Sequence, residues 1–139
     1  MTKAIGYIRV GSDEQTQSSL APAAQDVLLR AYAERAGLSL VAVMVDKAHE
    51  TTPLAYRSQG AHLLDIIRSK DVEAVLALNP ERLFRDEVEA ASYAKEWRGL
   101  GVEVITLEPS SKRPLRLRER AVLRALRALN RHGLTREAV

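Results

Sequence analysis

Four arginines and one glutamate stand where their side chains could meet around a phosphate group. Arg9 lies near the end of an apolar, β-branched run, Arg57 lies in a loop after the second such run, and Glu81, Arg82 and Arg85 follow the third. Forked guanidinium donors match the oxygen geometry of phosphate groups. These residues predict a phosphodiester-like site with Glu81 as its nearest carboxylate. The ordinary alternative is that Arg82 and Arg85 pair with acidic neighbours at an exposed helix start.

The elements that must position these residues follow from the hydrophobic pattern. Apolar, β-branched runs at 4–10, 40–45, 72–78 and 102–107 predict strands, and segments of helical period at 25–36, 59–69 and 86–98 predict helices between them. Gly37 and Gly99 stand where helix C-caps are expected. Alternating apolar strands and helices are typical of a three-layer α/β fold, with a mostly parallel sheet of four to five strands. Ligands bind beyond the carboxyl ends of such strands, where the arginines lie.

Composition excludes several classes of protein. A chain of 139 residues has the size of one domain, and the absence of cysteine excludes disulfide scaffolds, zinc ribbons and thiol catalysis. The three histidines are too scattered for a metal site, and no glycine-rich nucleotide loop is present, so we expect no metal and no cofactor. The sequence has neither a signal peptide nor a run of about 20 apolar residues, which predicts a cytoplasmic protein without a membrane partner.

The net charge of +3 hides two unlike parts. Residues 1–109 carry 12 Lys and Arg against 16 Asp and Glu, a net −4, whereas residues 110–139 carry 9 against 2, a net +7. This asymmetry indicates a polyanionic partner and divides the chain into an α/β body, 1–109, and a basic tail, 110–139.

Helical spacing gives the tail two faces. One face is an apolar stripe, and the other is a line of arginines within about 80° of arc. The apolar stripe contains Leu115, Val122, Leu126 and Leu129. The arginines are Arg116, Arg120, Arg124, Arg127 and Arg131. The pattern predicts a short amphipathic helix that binds the phosphates of a polyanionic partner in a salt-sensitive, sequence-independent way, with the apolar stripe packed on the body or on a second copy. The alternative is an ordinary helix whose arginines only face solvent.

Three motifs, in order, resemble the serine recombinases of the resolvase/invertase family. Residues 7–15, Tyr-Ile-Arg-Val-Gly-Ser-Asp-Glu-Gln, are similar to the family's opening Tyr-x-Arg-Val-Ser-Thr-x-x-Gln. Asp46 followed by Arg57 is similar to its Asp, mobile loop and catalytic Arg, and residues 81–85, Glu-Arg-Leu-Phe-Arg, to its Asp-Arg-x-x-Arg. The resemblance runs from about residue 4 to residue 107, nearly the whole body.

The resemblance implies a metal-free phosphoryl transfer. In the family a serine hydroxyl attacks a DNA phosphodiester and forms a phosphoseryl link, which another DNA end later displaces, while arginines stabilise the phosphorane. Arg9, Arg57, Arg82 and Arg85 match the family's catalytic arginines, and Glu81 replaces its Asp with a side chain one methylene longer. The family's long helix after the body forms a dimer and runs onto DNA. The resemblance therefore implies that this tail contributes to a homodimer and to DNA contact.

The chain departs from the family at the nucleophile. Gly11 stands where the family has its attacking serine, and Ser12 occupies the following Thr position. If the backbone stays extended, Ser12 points to the opposite face of the sheet from position 11. The favoured interpretation is a recombinase-like DNA-binding domain without strand cleavage. The alternatives are an active recombinase that uses Ser12, a Ser-to-Gly form made to trap a DNA complex, and a protein-interaction module without a DNA role.

Overall fold

The computed structural model describes residues 1–11 and 21–110. Nine elements follow each other in these parts of the chain. The strands are β1 (Thr2–Val10), β2 (Leu38–Lys47), β3 (Ala74–Ala77) and β4 (Glu103–Thr106). The helices are α1 (Pro22–Ala36), α2 (Ser58–Arg68), α3 (Pro80–Leu83) and α4 (Glu87–Gly99), with a 3-10 turn at Leu54–Tyr56.

The four strands form one parallel sheet in the order β2-β1-β3-β4. Helix α1 packs on one face, where its Leu29 and Ala33 meet Ala4 and Ile8 of β1. Helices α2 and α4 cover the other face. The predicted three-layer α/β fold with a parallel sheet is confirmed, at the lower end of the predicted strand number.

The face that α2 and α4 cover carries the larger core. Leu63 and Ile67 of α2 and Trp97 of α4 pack there against Ile5 and Tyr7 of β1. Strand β1 is buried on both sides. Because successive side chains of a strand point to opposite faces of the sheet, the odd-numbered residues of β1 face α2 and α4 and the even-numbered residues face α1. The alternation therefore assigns Tyr7 and Arg9 to one face of the sheet.

Several element boundaries depart from the sequence prediction. Strand β2 is longer than predicted, β3 and β4 are shorter, and the segment expected to be a loop after β3 contains the short helix α3. The prediction of a C-cap at Gly37 is confirmed, since this residue has φ 71° and closes α1. The prediction at Gly99 is wrong, because α4 runs through Gly99, Leu100 forms its C-cap and Gly101 takes the positive φ of 77°.

The predicted amphipathic helix with its five arginines lies outside the described residues, and so does Ser12. The division of the chain into a body, 1–109, and a tail, 110–139, stays a prediction. No helix within the described segments is long and apolar enough to cross a membrane.

Candidate active site

The candidate site lies where the direction of the sheet topology reverses. From β1 the chain passes to β2 on one side, and β3 then pairs with β1 on the other side. The crevice beyond the carboxyl ends of two such strands is the usual ligand site of an open α/β sheet. Arg9 comes from the end of β1 and Arg82 from α3, which directly follows β3 and Asn79.

Helix α3 presents Arg82 to β1. Pro80 suits the first helical position, and the Asn79 side chain caps the helix by accepting the Arg82 backbone N–H at 3.1 Å. Arg82 Nη1 then donates to the backbone carbonyl oxygen of Arg9 at 3.0 Å. The ends of β1 and β3 are thereby joined through a buried guanidinium.

Arg57 is buried, and its guanidinium group bonds to the backbone of α3. Its Nη1 donates to the carbonyl oxygen of Arg82 at 3.0 Å, to that of Leu83 at 3.3 Å and to the Tyr7 hydroxyl at 3.3 Å, while Nε donates to the carbonyl oxygen of Thr52 at 3.0 Å. Arg57 is only 2% exposed, and within the described part of the chain its Nη2 has no hydrogen-bond partner.

Arg9, at the end of β1, is the third arginine at this edge of the sheet. It is buried, and its Nη1 donates to the carbonyl oxygen of Ala48 in the loop after β2 at 3.0 Å. Arg9, Arg57 and Arg82 thus form a connected group, which we call the arginine cluster. Backbone carbonyl oxygens from the end of β1, from the loop after β2 and from α3 hold its guanidinium groups in place.

Arg85 and Glu81 lie apart from these bonds. The Arg85 side chain is 45% exposed, and its Nε lies 3.3 Å from Oδ2 of Asp86, which is the ordinary pairing considered for this residue. Glu81 accepts a hydrogen bond from the Ser110 hydroxyl. Both residues line an apolar pocket of about 230 Å³ beside Phe84 and Ala90. Three of the four predicted arginines therefore come together in the hydrogen bonds described, and the fourth lies at an exposed rim.

Asp46 organises the site from the end of β2. Its Oδ1 accepts the backbone N–H of Gln59 and its Oδ2 that of Gly60, both at 2.8 Å, at the start of α2. Its Oδ2 also accepts the Tyr7 hydroxyl at 2.7 Å. A carboxylate at a helix N-terminus is stabilised by the unpaired N–H groups and by the helix dipole. Asp46 therefore fixes α2, whose start directly follows Arg57.

The sequence interpretation did not include two polar groups of the site. The Tyr7 hydroxyl lies between Asp46 and Arg57, and burial raises the pKa of this phenol far above its usual range, aided by Asp46 and opposed by Arg57. The sequence indicates this role of Tyr7 by its position two residues before Arg9, which places both side chains on the same face of β1. Glu89 is the second group, and it accepts backbone N–H groups.

Nothing in the described residues forms a metal site: within 1–11 and 21–110, no three His, Asp or Glu side chains are grouped to hold an ion. The chemistry open to the arginine cluster is recognition of an anion by fixed donors and charge.

Several solved structures share this fold. The C-terminal catalytic domain of ISC1926 TnpA, an IS607-like serine recombinase, is 24% identical with a TM-score of 0.66, covering 78% of this chain and 72% of that one. The N-terminal catalytic domain of TP901-1 integrase is 21% identical with a TM-score of 0.65, covering 94% and 95%. A resolvase family site-specific recombinase from Streptococcus pneumoniae is 21% identical with a TM-score of 0.63, covering 99% and 93%. At these identities the likeness concerns the fold.

Sequence comparison supplies the family. No curated protein matches the chain. The family model of the resolvase N-terminal domain matches residues 4–136, which is nearly the whole sequence. The resemblance to serine recombinases is therefore confirmed, and the chain belongs to the resolvase N-terminal domain family.

Proposed function

We propose that this domain binds the phosphodiester backbone of DNA at the arginine cluster and does not cut it. The proposal has two parts with separate support. The environment of Arg57 supports binding, and Gly11 supports the absence of cleavage. Arg85 at the rim would contact DNA next to the cluster rather than within it, and Glu81 stays a candidate catalytic carboxylate implied by the resemblance.

The observation that carries the binding proposal is the buried charge of Arg57. Among the residues that the structure describes, its acceptors are three carbonyl oxygens and the Tyr7 hydroxyl, all uncharged, and Nη2 has none. A buried cation without a direct anionic partner is costly. A phosphate oxygen would supply both the missing acceptor and the missing negative charge.

Support for the absence of cleavage comes from strand alternation. Tyr7 packs in the core below α2 and α4, and the neighbouring Ile8 packs below α1. Position 11 has the same parity as Tyr7 and Arg9, so it is the place from which an extended strand would aim a side chain at the arginine side. A glycine there supplies no nucleophile. The arginine cluster fits phosphate binding, but position 11 lacks the hydroxyl that the family's reaction requires.

A salt titration of duplex DNA binding tests the binding proposal. We expect affinity to fall steeply with salt concentration, as phosphate contacts require, and Arg57→Ala to weaken binding on the order of tenfold or more. Arg35→Ala, at the exposed end of α1, removes the same charge far from the site and should change affinity less than about twofold. Equal binding by the native chain and Arg57→Ala would contradict the proposal.

Gel analysis of covalent protein–DNA adducts tests the absence of cleavage. We expect the native chain to form no phosphoseryl link and Gly11→Ser to form one. Adducts from the native chain that vanish in Ser12→Ala would instead establish Ser12 as the nucleophile. The protein-interaction alternative predicts no DNA binding by any of these variants.

The basic tail would add general affinity for DNA and a dimer contact, as predicted from its two faces. The variant in which Arg120, Arg124 and Arg127 are replaced by alanine should bind DNA more weakly, with a smaller salt dependence. If this variant bound DNA as tightly as the native chain, the tail would have no role in DNA binding. A DNA-binding role without a membrane partner also agrees with the cytoplasmic location expected from the sequence.

A further inference from the structure

Glu89 is a buried carboxylate that the proposed chemistry does not use. It is the third residue of α4, and it is 9% exposed although its neighbours Glu87 and Val88 face solvent. Its own backbone N–H is taken by Oδ1 of Asp86, the N-cap of α4, at 2.8 Å. The side chain is therefore turned inward from the first helical turn.

The Glu89 carboxylate joins two loops that lie far apart in the sequence. Its Oε1 accepts the backbone N–H of Arg85 at 2.8 Å, in the segment after α3. The backbone N–H of Leu54 lies 3.4 Å from Oε1 and 3.3 Å from Oε2, in the segment after β2. Leu54 starts the 3-10 turn that leads directly into Arg57. One side chain thus contacts the backbone of both arginine-bearing segments.

We propose that Glu89 is a positioning residue that sets the separation between Arg57 in the cluster and Arg85 at its rim. It holds backbone groups rather than guanidinium groups, so it occupies none of the guanidinium donors of Arg57 or Arg85 in the hydrogen bonds described. The inference rests on the proposed function, because it assigns Glu89 a role in phosphate binding by those two arginines.

A role limited to stabilising the helix terminus would not require this geometry. Glu87 lies in the same first turn of α4 and can interact with the same helix dipole from the surface. Glu89 instead reaches across 35 residues of sequence to Leu54. Binding sites need their charged groups held to within a fraction of an ångström, which explains a buried acceptor between two loops.

Variants of Glu89 in the full chain test the inference through duplex DNA affinity. Glu89→Ala should weaken binding on the order of tenfold, because misplaced donors lose affinity steeply. Glu89→Gln keeps an oxygen that can accept both N–H groups and should restore binding to within about threefold of the native chain. Glu87→Ala is the matched control for the lost charge and should bind like the native chain.

A double variant distinguishes positioning from general stability. If Glu89 acts through Arg57, Glu89→Ala should cause a much smaller loss in an Arg57→Ala background than in the native chain. Native-like DNA binding by Glu89→Ala would overturn the inference, and so would affinity losses of the two single variants that add fully in the double variant. Neither result would overturn the proposed function, as long as DNA binding by the native chain depends on Arg57.

Amide hydrogen exchange gives a readout that does not depend on DNA. Glu89→Ala should accelerate exchange at Leu54 and Arg85, while Gln59 and Gly60, whose N–H groups are held by Asp46, stay protected. Uniform acceleration, or none, would overturn the inference. Failure of the native chain to bind DNA would overturn the proposed function, and with it the role assigned to Glu89 in phosphate binding; the exchange pattern then decides only whether Glu89 holds the two loops.

Discussion

The Tyr7 hydroxyl donates a 2.7 Å hydrogen bond to Oδ2 of Asp46, joining the carboxyl-terminal halves of β1 and β2. The same hydroxyl accepts a hydrogen bond from Nη1 of Arg57 at 3.3 Å. Asp46 therefore acts on Arg57 through Tyr7, while its carboxylate oxygens also hold the first amides of α2. This relation connects the stability of the fold with the position of the candidate phosphate-binding group.

Removing the Tyr7 hydroxyl should destabilise the protein. Tyr7→Phe leaves the buried Asp46 and Arg57 each without one partner, and we expect the free energy of unfolding to fall by about 1–3 kcal/mol. Urea denaturation measures this change. Tyr56→Phe is the matched control, since Tyr56 is 81% exposed and its hydroxyl loss should cost less than about 0.5 kcal/mol. Equal stability of both variants would contradict the role of the Tyr7 hydroxyl.

The Tyr7 hydroxyl should also make the stability of the protein depend on pH in the alkaline range. Because burial raises the pKa of Tyr7 in the folded chain, the unfolded chain releases its phenolic proton first, at about pH 10. The contribution of Tyr7 is thus fully present below that pH, and the free energy of unfolding should decrease as the pH rises above it. Urea denaturation across this range should show a flatter pH dependence for Tyr7→Phe than for the native chain. If the free energy of unfolding fell equally steeply with pH in both proteins, Tyr7 would be excluded as the source of that pH dependence.

Asp46 should be among the polar residues most sensitive to substitution. Asp46→Ala leaves two helix N-terminal amides and the Tyr7 hydroxyl without their acceptor, so we expect a loss of about 2 kcal/mol or more. Asp46→Asn keeps one acceptor oxygen and should lose less. Asp65→Ala removes an exposed carboxylate from the same helix, α2, and serves as the control in thermal or urea unfolding. A loss at Asp46 no larger than at Asp65 would contradict the capping role.

Gly60 should not tolerate a side chain. A Cβ atom at this position would lie 2.3 Å from the carbonyl oxygen of Leu54, so the 3-10 turn before Arg57 would have to move. We expect Gly60→Ala to cost about 1–3 kcal/mol, as overpacking usually does. Gly99→Ala is the control: nothing lies within 4 Å of its Cβ, and a helical alanine there should be neutral or stabilising by up to about 1 kcal/mol. Similar unfolding curves for the two variants would contradict the close packing at Gly60.

The sequence predicted the fold well because its signals are local. The period of apolar residues in 4–10 and 59–69 depends only on near neighbours, and it gave the correct type and order of the main elements. Boundaries were less accurate where tertiary contacts decide them. Strand β2 extends to Lys47 because it pairs along the whole length of β1, which no pattern within residues 40–45 indicates.

The arginine cluster was predictable in part for the same reason. Parallel strands bring their carboxyl ends to one edge, so Arg9, Arg57 and Arg82 were expected together, and the family motifs marked the same residues. The separation of Arg85 from their hydrogen bonds was not predictable. Whether Arg85 joins the cluster depends on which acceptor, Asp86 or a backbone carbonyl oxygen, lies nearest to its guanidinium group. These distances are set only in the folded chain.

The order of the main strands and helices and the family are properties of the residues themselves, and the amino-acid sequence is sufficient to establish them. The tertiary structure alone decided that Arg57 is buried among uncharged acceptors, that Tyr7 joins it to Asp46, and that Glu89 holds Leu54 and Arg85. Three of these contacts, Tyr7 with Asp46, Tyr7 with Arg57 and Glu89 with Leu54, link residues 35 to 50 positions apart. Hydrogen-bond partners at such separations are chosen by packing, because many polar groups compete for each donor until the core fixes their distances.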